Sequence, residues 1–296
     1  MSGAYAPLFT PMKIETECLD CIYNQSSRVS SFLKVTPSQK EQISKIAKQH
    51  IEKFDHTNTP PYNATPMYEA IADFLQVDDL YADMKNEASK KAQKFTSTCK
   101  EAINLNDDRL EGAIKTAIAG NVIDLAAEVM FDLDEEIEKI FKTHFAVDDF
   151  ESLREKLGST QKLVYLADNA GEEVFDKICI ETIKDMYPNI EVFYFVRGKP
   201  IINDLTMEHA KKSGLDEVAT LIDSGVPTPG YAIDFADSEA HEIFKNADCI
   251  ISKGMGNYEC LGVEKEYPIY FLLKVKCQVV ARAIGANLGD IVCKKL

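Results

Sequence analysis

An acid and an amide stand side by side in the stretch LADNAGEE, residues 166–173, directly after the apolar run LVYL. Carboxylate and amide oxygens are hard ligands that suit Mg²⁺ or Mn²⁺. Together with Asp204, which follows the next apolar run, Asp168 and Asn169 offer three oxygen ligands and leave coordination positions open. Such a metal polarises a phosphoryl oxygen and activates a water. Taken alone, however, an Asp-Asn pair after a strand is also typical of a turn or a helix cap.

Similar polar clusters follow each of the other apolar runs in the second half of the chain. They read RGKPIIND (197–204), DSG (223–225) with TPG (228–230), KGMGNYE (253–259), and KVK (274–276). Glycines at 171, 225, 254 and 256 allow backbone N–H groups to approach an anion closely. Either Lys253 or Lys276 is then placed to neutralise phosphoryl charge. The joint pattern favours an anion or metal site over a set of unrelated turns.

The elements that must position these residues are short strands alternating with helices. The predicted strands are rich in β-branched and aromatic residues, and they cover 163–167, 191–196, 217–223, 248–253, 268–275 and 290–295. Helical stretches at 173–186, 206–213 and 238–244 separate them. This alternation predicts an α/β fold, a three-layer α/β/α domain with a mostly parallel sheet, over residues 151–296. Ligands of open parallel sheets bind outside the carboxyl ends of the strands, so the polar clusters are expected to converge there.

The first half of the chain reads as an all-helical domain, residues 13–150, after a flexible leader, residues 1–12. Helical spacing of apolar residues begins near Ile14, and a second helix is predicted with Ser38 as its cap. The stretch HTNTPPYNATP, residues 56–66, reads as a loop because of its prolines and asparagines. Further amphipathic segments cover 67–75, 78–103, 110–118 and 123–145.

Composition excludes several classes of protein. The net charge of -15 opposes binding to phosphate backbones and anionic lipid, so neither nucleic acid nor membrane is an expected partner. The chain has no apolar run of 18 residues and no signal-peptide pattern, which favours a cytoplasmic protein. The phosphate loop GxxxxGK[ST], the dinucleotide motif GxGxxG after a strand, and the motifs DxDx[TV], HExxH and GxSxG are all absent.

The combined motifs resemble the metal-dependent damage-control phosphatase family, formerly the domain-of-unknown-function 89 family. The matching stretches are DNAGE (168–172), RGKPIIND, DSG with TPG, KGMGNYE and LLKVKC (272–277). In the helical half, ECLDCIYNQ (17–25) and GNVID (120–124) are similar to the stand-alone archaeal and bacterial branch that contains a CxxC motif. The resemblance covers residues 13–296.

The resemblance implies hydrolysis of small phosphomonoesters, such as sugar phosphates, in metabolite damage control, with Mn²⁺, Mg²⁺, Co²⁺ or Ni²⁺ as cofactor. It implies Asp168, Asn169 and Asp204 as metal ligands and Lys253 as the lysine that meets the substrate phosphate. Either Asp168 or Asp204 then orients the attacking water. The remaining residues expected to line the substrate site are Asn203, Gly254, Asn257, Glu259, Asn121 and Asp124.

Two other functions remain open at this point. One is a non-catalytic protein that binds a phosphometabolite in the same cleft. The other is a carboxyl methyltransferase that uses S-adenosylmethionine, although RGKP places cations where an acid is expected to bind the ribose. The cysteine pair Cys18 and Cys21 lies on one face of a predicted helix, which suits two core residues, a redox pair or two metal ligands.

Overall fold

The computed structural model describes residues 12–122 and 139–296, with side chains for 12–120 and 139–296. Its centre is a seven-stranded sheet in the order β1-β7-β6-β5-β2-β3-β4. The strands are β1 (Val147–Asp148), β2 (Lys162–Leu166), β3 (Glu191–Val196), β4 (Thr220–Asp223), β5 (Cys249–Lys253), β6 (Ile269–Lys274) and β7 (Ile291–Lys295). All neighbouring strands pair in parallel except β6 and β7. The carboxyl ends of β2 to β6 therefore lie along one edge.

The sheet is covered on both faces, which confirms the three-layer α/β prediction. Along β2, Leu163 and Tyr165 belong to one buried apolar cluster, whereas Val164 and Leu166 belong to the other. Successive side chains of a strand point to opposite faces, so a strand that is buried on both sides reads as a continuous apolar run. This explains why β2, β3, β5 and β6 are visible in the sequence.

Six helices follow the first strand. They are α7 (Phe150–Gly158), α8 (Glu173–Met186), α9 (Met207–Lys212), α10 (Ser238–Lys245), α11 (Gly254–Leu261) and α12 (Gln278–Ile284). Apolar residues of α7 and α8 join one buried cluster, and those of α10, α11 and α12 join the other. The sequence did not predict α11 or α12. Glycines in α11 and the short length of α12 hide the helical period that would have indicated them.

The helical half contributes α1 (Thr16–Phe32), α2 (Pro37–Ile51), α3 (Pro60–Leu75), α4 (Ala82–Gln93), α5 (Thr96–Leu105) and α6 (Arg109–Val122). Helices α1 to α3 bury a core of their own, which also takes in Ile201 from the α/β half. Helices α5 and α6 instead share the buried cluster of α8 and the sheet. The final helices of the helical half therefore form part of one outer layer of the α/β/α sandwich.

Three sequence predictions in this half were wrong in detail. The stretch at 56–66 is a loop only up to Thr59, because Pro60 and Pro61 occupy the first turn of α3, where a missing N–H costs nothing. Helix α2 is capped by Thr36, whose hydroxyl accepts from the backbone N–H of Gln39, and not by Ser38. The segment 78–103 is divided between α4 and α5.

The flexible leader predicted for residues 1–12 lies outside the described residues except for Met12. The predicted helical segment 123–145 lies outside them up to residue 138. In the part of the chain that the structure describes, no helix is long and apolar enough to cross a membrane.

Candidate active site

A cleft of about 870 Å³ separates the carboxyl edge of the sheet from helices α1, α3 and α4. The sheet side of the cleft is lined by residues that follow five different strands, β2 to β6, and these include Asp168, Asn169, Asn203, Asp204, Pro229, Gly256, Glu259 and Lys276. The structure therefore brings together polar clusters that are separated by more than 100 positions in sequence, as the parallel sheet predicts.

Asp168 follows β2 and packs directly against the backbone of Gly254, which begins α11. Gly254 has φ +78°, and a Cβ atom built on it would collide with the Asp168 carboxylate. Only glycine combines this left-handed conformation with such a close approach. Although Gly254 was expected to line the substrate site, it is not among the residues that line the cleft, and it packs against Asp168 instead.

The side chain of Asn169 has an orientation that its neighbours determine. Its Nδ2 donates to Oδ2 of Asp168 at 2.9 Å and to Oε1 of Glu172 at 2.9 Å. A carboxylate accepts hydrogen bonds, so only the NH₂ end of the amide fits between these two oxygens. Its Oδ1 accepts no hydrogen bond from any residue the structure describes, and Asn169 itself lines the cleft.

Asp204 is held beside Asn169 through a short antiparallel bridge between the two loops. Its Oδ2 accepts from Nε of Arg197 at 2.8 Å and from the backbone N–H of Gly230 at 3.2 Å. Both members of the Arg197–Asp204 pair are almost completely buried. No described donor contacts Oδ1 of Asp204. The arrangement leaves a second acceptor oxygen at the same end of the cleft.

The loop that carries Asp204 is fixed at its middle by the helical half. Ile201 is buried in the core of α1 to α3, and Lys199 forms an ion pair with Glu69 of α3. Ile202, which lines the cleft, has φ +35°, a strained conformation for a β-branched residue. The position of Asp204 therefore depends on residues from both halves of the chain.

Three acidic groups crowd this end of the cleft. Burial raises the pKa of Asp168 well above its usual range, and the nearby charges of Glu172 and Asp204 raise it further. Burial also raises the pKa of Asp204, against the opposing charge of Arg197. Lys276 lies on the cleft wall, and its charge partly offsets the rise in the Asp168 pKa. A cation bound here would relieve this repulsion.

The two candidate lysines lie in different environments. Lys253 is fully buried, does not line the cleft, and donates to Glu172 at 3.1 Å and to Asp176 at 2.8 Å. Although burial opposes its charge, Asp176 and Glu172 raise the pKa of its ammonium. Lys276 is exposed and lines the cleft. Of the two, only Lys276 is therefore placed to reach a ligand in the cleft.

Asn257 is fully buried and does not line the cleft, contrary to the expectation that it would bind substrate. Its Oδ1 accepts from Arg197 and from the backbone N–H of Tyr231. Its Nδ2 donates to the carbonyl oxygens of Ala167 and Lys253. All of its hydrogen-bonding capacity is used inside the protein, which gives it a structural role.

The other expected substrate-site residues divide into two groups. Asn203 and Glu259 line the cleft, and burial raises the pKa of Glu259 to about 8. Asn121 lies near the end of α6, and its side chain is outside the described part, as is the whole of Asp124. Their predicted contribution to the site stays a prediction.

Three residues of the opposite wall were not anticipated. Arg28 of α1, Tyr68 of α3 and Tyr81 before α4 all line it. These residues follow helical spacing in the sequence and carry no motif, so nothing in the chain distinguished them from ordinary core and surface positions.

The cysteine pair also lines the cleft, together with Cys277 at the start of α12. Cys21 is exposed, whereas Cys18 is half-buried and packs against the core of α1 to α3. Burial raises the pKa of Cys18 to about 11 and also raises that of Cys21. A raised pKa lowers the thiolate fraction at neutral pH, which opposes a reactive redox pair.

Comparison with known proteins agrees with the fold. The family model of the damage-control phosphatase ARMT1-like domain matches residues 14–292. A damage-control phosphatase of Pyrococcus horikoshii is 33% identical over 286 residues, which is 96% of this chain and 98% of that protein. A damage-control phosphatase of Archaeoglobus fulgidus is also 33% identical, over 96% of this chain and 99% of its own length.

A solved structure supports the same relationship. The crystal structure of a DUF89 family protein from Pyrococcus horikoshii superposes with a TM-score of 0.87 at 33% identity, and the match covers 96% of this chain and 99% of that one. The chain therefore belongs to the damage-control phosphatase ARMT1-like (DUF89) family, as the resemblance indicated.

Proposed function

We propose that this protein is a divalent-metal-dependent phosphatase that hydrolyses a small phosphorylated metabolite at the cleft above Asp168, in the manner that the names of its relatives indicate. The observation that carries the proposal is the meeting of Asp168, Asn169 and Asp204 at one end of the cleft. Two further observations support metal dependence.

The first supporting observation is the donor set. The Oδ1 atoms of Asn169 and Asp204 face no described hydrogen-bond donor, and the carboxylate of Asp168 belongs to the same cluster. Hard oxygen ligands of this kind suit Mg²⁺ or Mn²⁺. Within the described residues, no three His, Cys, Asp or Glu side chains are arranged to hold a metal. A metal bound here by Asp168 and Asp204 would find the Asn169 oxygen available as a third protein ligand.

The second supporting observation is electrostatic. Burial and two neighbouring acids raise the pKa of Asp168, and the charges of Lys276 and Arg197 offset this rise only in part. A divalent ion, when bound, would supply Lewis-acid polarisation of the phosphoryl group. Lys276 is then placed to neutralise the anionic substrate at the cleft wall. Asp168 or Asp204 is placed to accept a hydrogen bond from the attacking water.

The substrate class follows from the shape of the cleft. A volume of about 870 Å³ with one acidic end admits a metabolite-sized molecule whose phosphate lies at that end. The wall formed by Arg28, Tyr68 and Tyr81 would contact the remainder of the substrate. The identity of the metabolite and of the preferred metal, among Mn²⁺, Mg²⁺, Co²⁺ and Ni²⁺, is left to experiment, and a cytoplasmic location stays a prediction.

The test is phosphate release from a panel of phosphomonoesters by metal-stripped protein, with each of the four metals added back singly. We expect turnover that depends on added metal and stops with a chelator. Metal binding without turnover on any member of the panel would favour a non-catalytic phosphometabolite-binding protein instead. Binding of S-adenosylmethionine in the absence of metal would favour the methyltransferase alternative.

A further inference from the structure

We propose that Lys253 and Glu172 form a buried relay that positions Asn169 for metal binding, so that Lys253 acts on the site from behind without contacting the substrate. The inference rests on the proposed function, because it concerns the ligand geometry of that metal. It assigns Lys253 a different role from the phosphate contact that the family resemblance implies.

The relay is a continuous series of charge-assisted hydrogen bonds. Nζ of Lys253 donates to Oε2 of Glu172 at 3.1 Å, and Oε1 of Glu172 accepts from Nδ2 of Asn169 at 2.9 Å. Glu172 is 3% exposed and Lys253 is 0% exposed, so water does not compete for these bonds. The free end of the Asn169 amide is thereby directed away from Glu172 and Asp168. Partners of this kind, behind the metal ligands, typically fix ligand orientation.

Lys253 is itself held in place from the far side. Its Nζ donates to Oδ1 of Asp176 at 2.8 Å, and Asp176 also accepts from the hydroxyls of Tyr165 and Tyr194 at 2.7 and 2.8 Å. Asp176, Tyr165 and Tyr194 are all fully buried. These buried contacts leave the Lys253 ammonium little freedom to move into the cleft. They also keep it paired with Glu172.

Glu172→Gln tests the relay without removing the Lys253–Asp176 pair. The glutamate satisfies Asn169 and Lys253 with two separate acceptor oxygens, whereas a glutamine has only one. The variant must therefore place its NH₂ group against either the Asn169 amide or the Lys253 ammonium. A neighbouring buried glutamate, Glu173, touches Ser89 and the backbone of Gly171 but neither relay partner, so Glu173→Gln is the matched control.

The measurement is calorimetric titration of Mn²⁺ into metal-stripped wild type, Glu172→Gln, Lys253→Met and Glu173→Gln, each shown to be folded by circular dichroism. We expect the Kd for Mn²⁺ to rise about 10- to 100-fold in Glu172→Gln and Lys253→Met, the usual effect of losing such a partner. Glu173→Gln is expected to bind as wild type does. If Lys253→Met does not fold, Glu172→Gln decides the question.

A second readout separates the relay from a phosphate contact. The inhibition constant for inorganic phosphate is measured at saturating Mn²⁺ in folded Lys253→Met, where the relay predicts a value near that of wild type. Unchanged Mn²⁺ affinity in Glu172→Gln, or lost phosphate affinity with unchanged Mn²⁺ affinity in Lys253→Met, would overturn the inference. Failure of wild type to bind any of the four metals would instead overturn the proposed function, and the inference with it.

Discussion

The carboxylate of Asp168 occupies the space that a side chain at position 254 would need. The contact joins the loop after β2 to the first residue of α11, which follows β5, the neighbour of β2 in the sheet. Because Gly254 has no side chain, the Asp168 carboxylate can take its position in the candidate metal site.

Gly254→Ala is expected to abolish metal-dependent activity, because its methyl group displaces Asp168. Gly285→Ala provides the control, since Gly285 also has φ +78° but a Cβ there meets nothing within 4 Å. Each variant should lose about 1–2 kcal/mol of unfolding free energy from the left-handed conformation alone. Activity and urea denaturation are measured on both. Equal activity in the two variants would contradict the role given to the Asp168–Gly254 contact.

Asn257→Ala is expected to destabilise the fold because Asn257 joins three segments through four hydrogen bonds. Each buried partner left unsatisfied costs about 1–3 kcal/mol, so we expect a loss of about 3 kcal/mol or more by urea denaturation. The exposed Asn246, which bonds only to Glu242 in its own helix, is the comparison, and Asn246→Ala should change stability by less than about 0.5 kcal/mol. A stable but inactive Asn257→Ala would instead restore the substrate-binding role.

Glu173 should make stability depend on pH. Burial raises its pKa to about 7 from an ordinary value of 4.5, although Ser89 donates to it. The folded state therefore holds a proton that the unfolded state releases, and the stability that this proton contributes is present below about pH 4.5 and lost as pH rises through 7. The free energy of unfolding therefore differs by about 3 kcal/mol between the two ends of this pH range.

Glu173→Gln mimics the protonated form, so it should match wild type near pH 4 and exceed it in stability by up to about 3 kcal/mol at pH 8. Urea denaturation of both proteins at the two pH values provides the measurement. A stability difference that does not change with pH would show that Glu173 does not titrate in this range.

The sequence was sufficient for the sheet and for the clustering of its loops, because strands buried on both faces are continuous apolar runs and parallel strands end at one edge. The sequence was not sufficient to predict which side chains point into the cleft and which are buried behind it. Lys253 ends β5, Lys276 follows β6 and both are cations, yet only tertiary packing buries the first between two carboxylates and leaves the second on the cleft wall. Likewise, Asn257 and Asn203 look equivalent in the motifs, and only their partners distinguish a structural amide from one that lines the cleft.

The most direct test of the central claim is Mn²⁺-restored phosphate release from p-nitrophenyl phosphate by wild type and by Asp168→Asn. Because burial and neighbouring acids already raise the pKa of Asp168, a neutral asparagine should be tolerated by the fold. We predict that Mn²⁺ restores wild-type turnover and that the folded variant loses it by about 100-fold or more. Undiminished hydrolysis by Asp168→Asn, or by wild type with excess chelator, would contradict a metal-dependent phosphatase centred on Asp168.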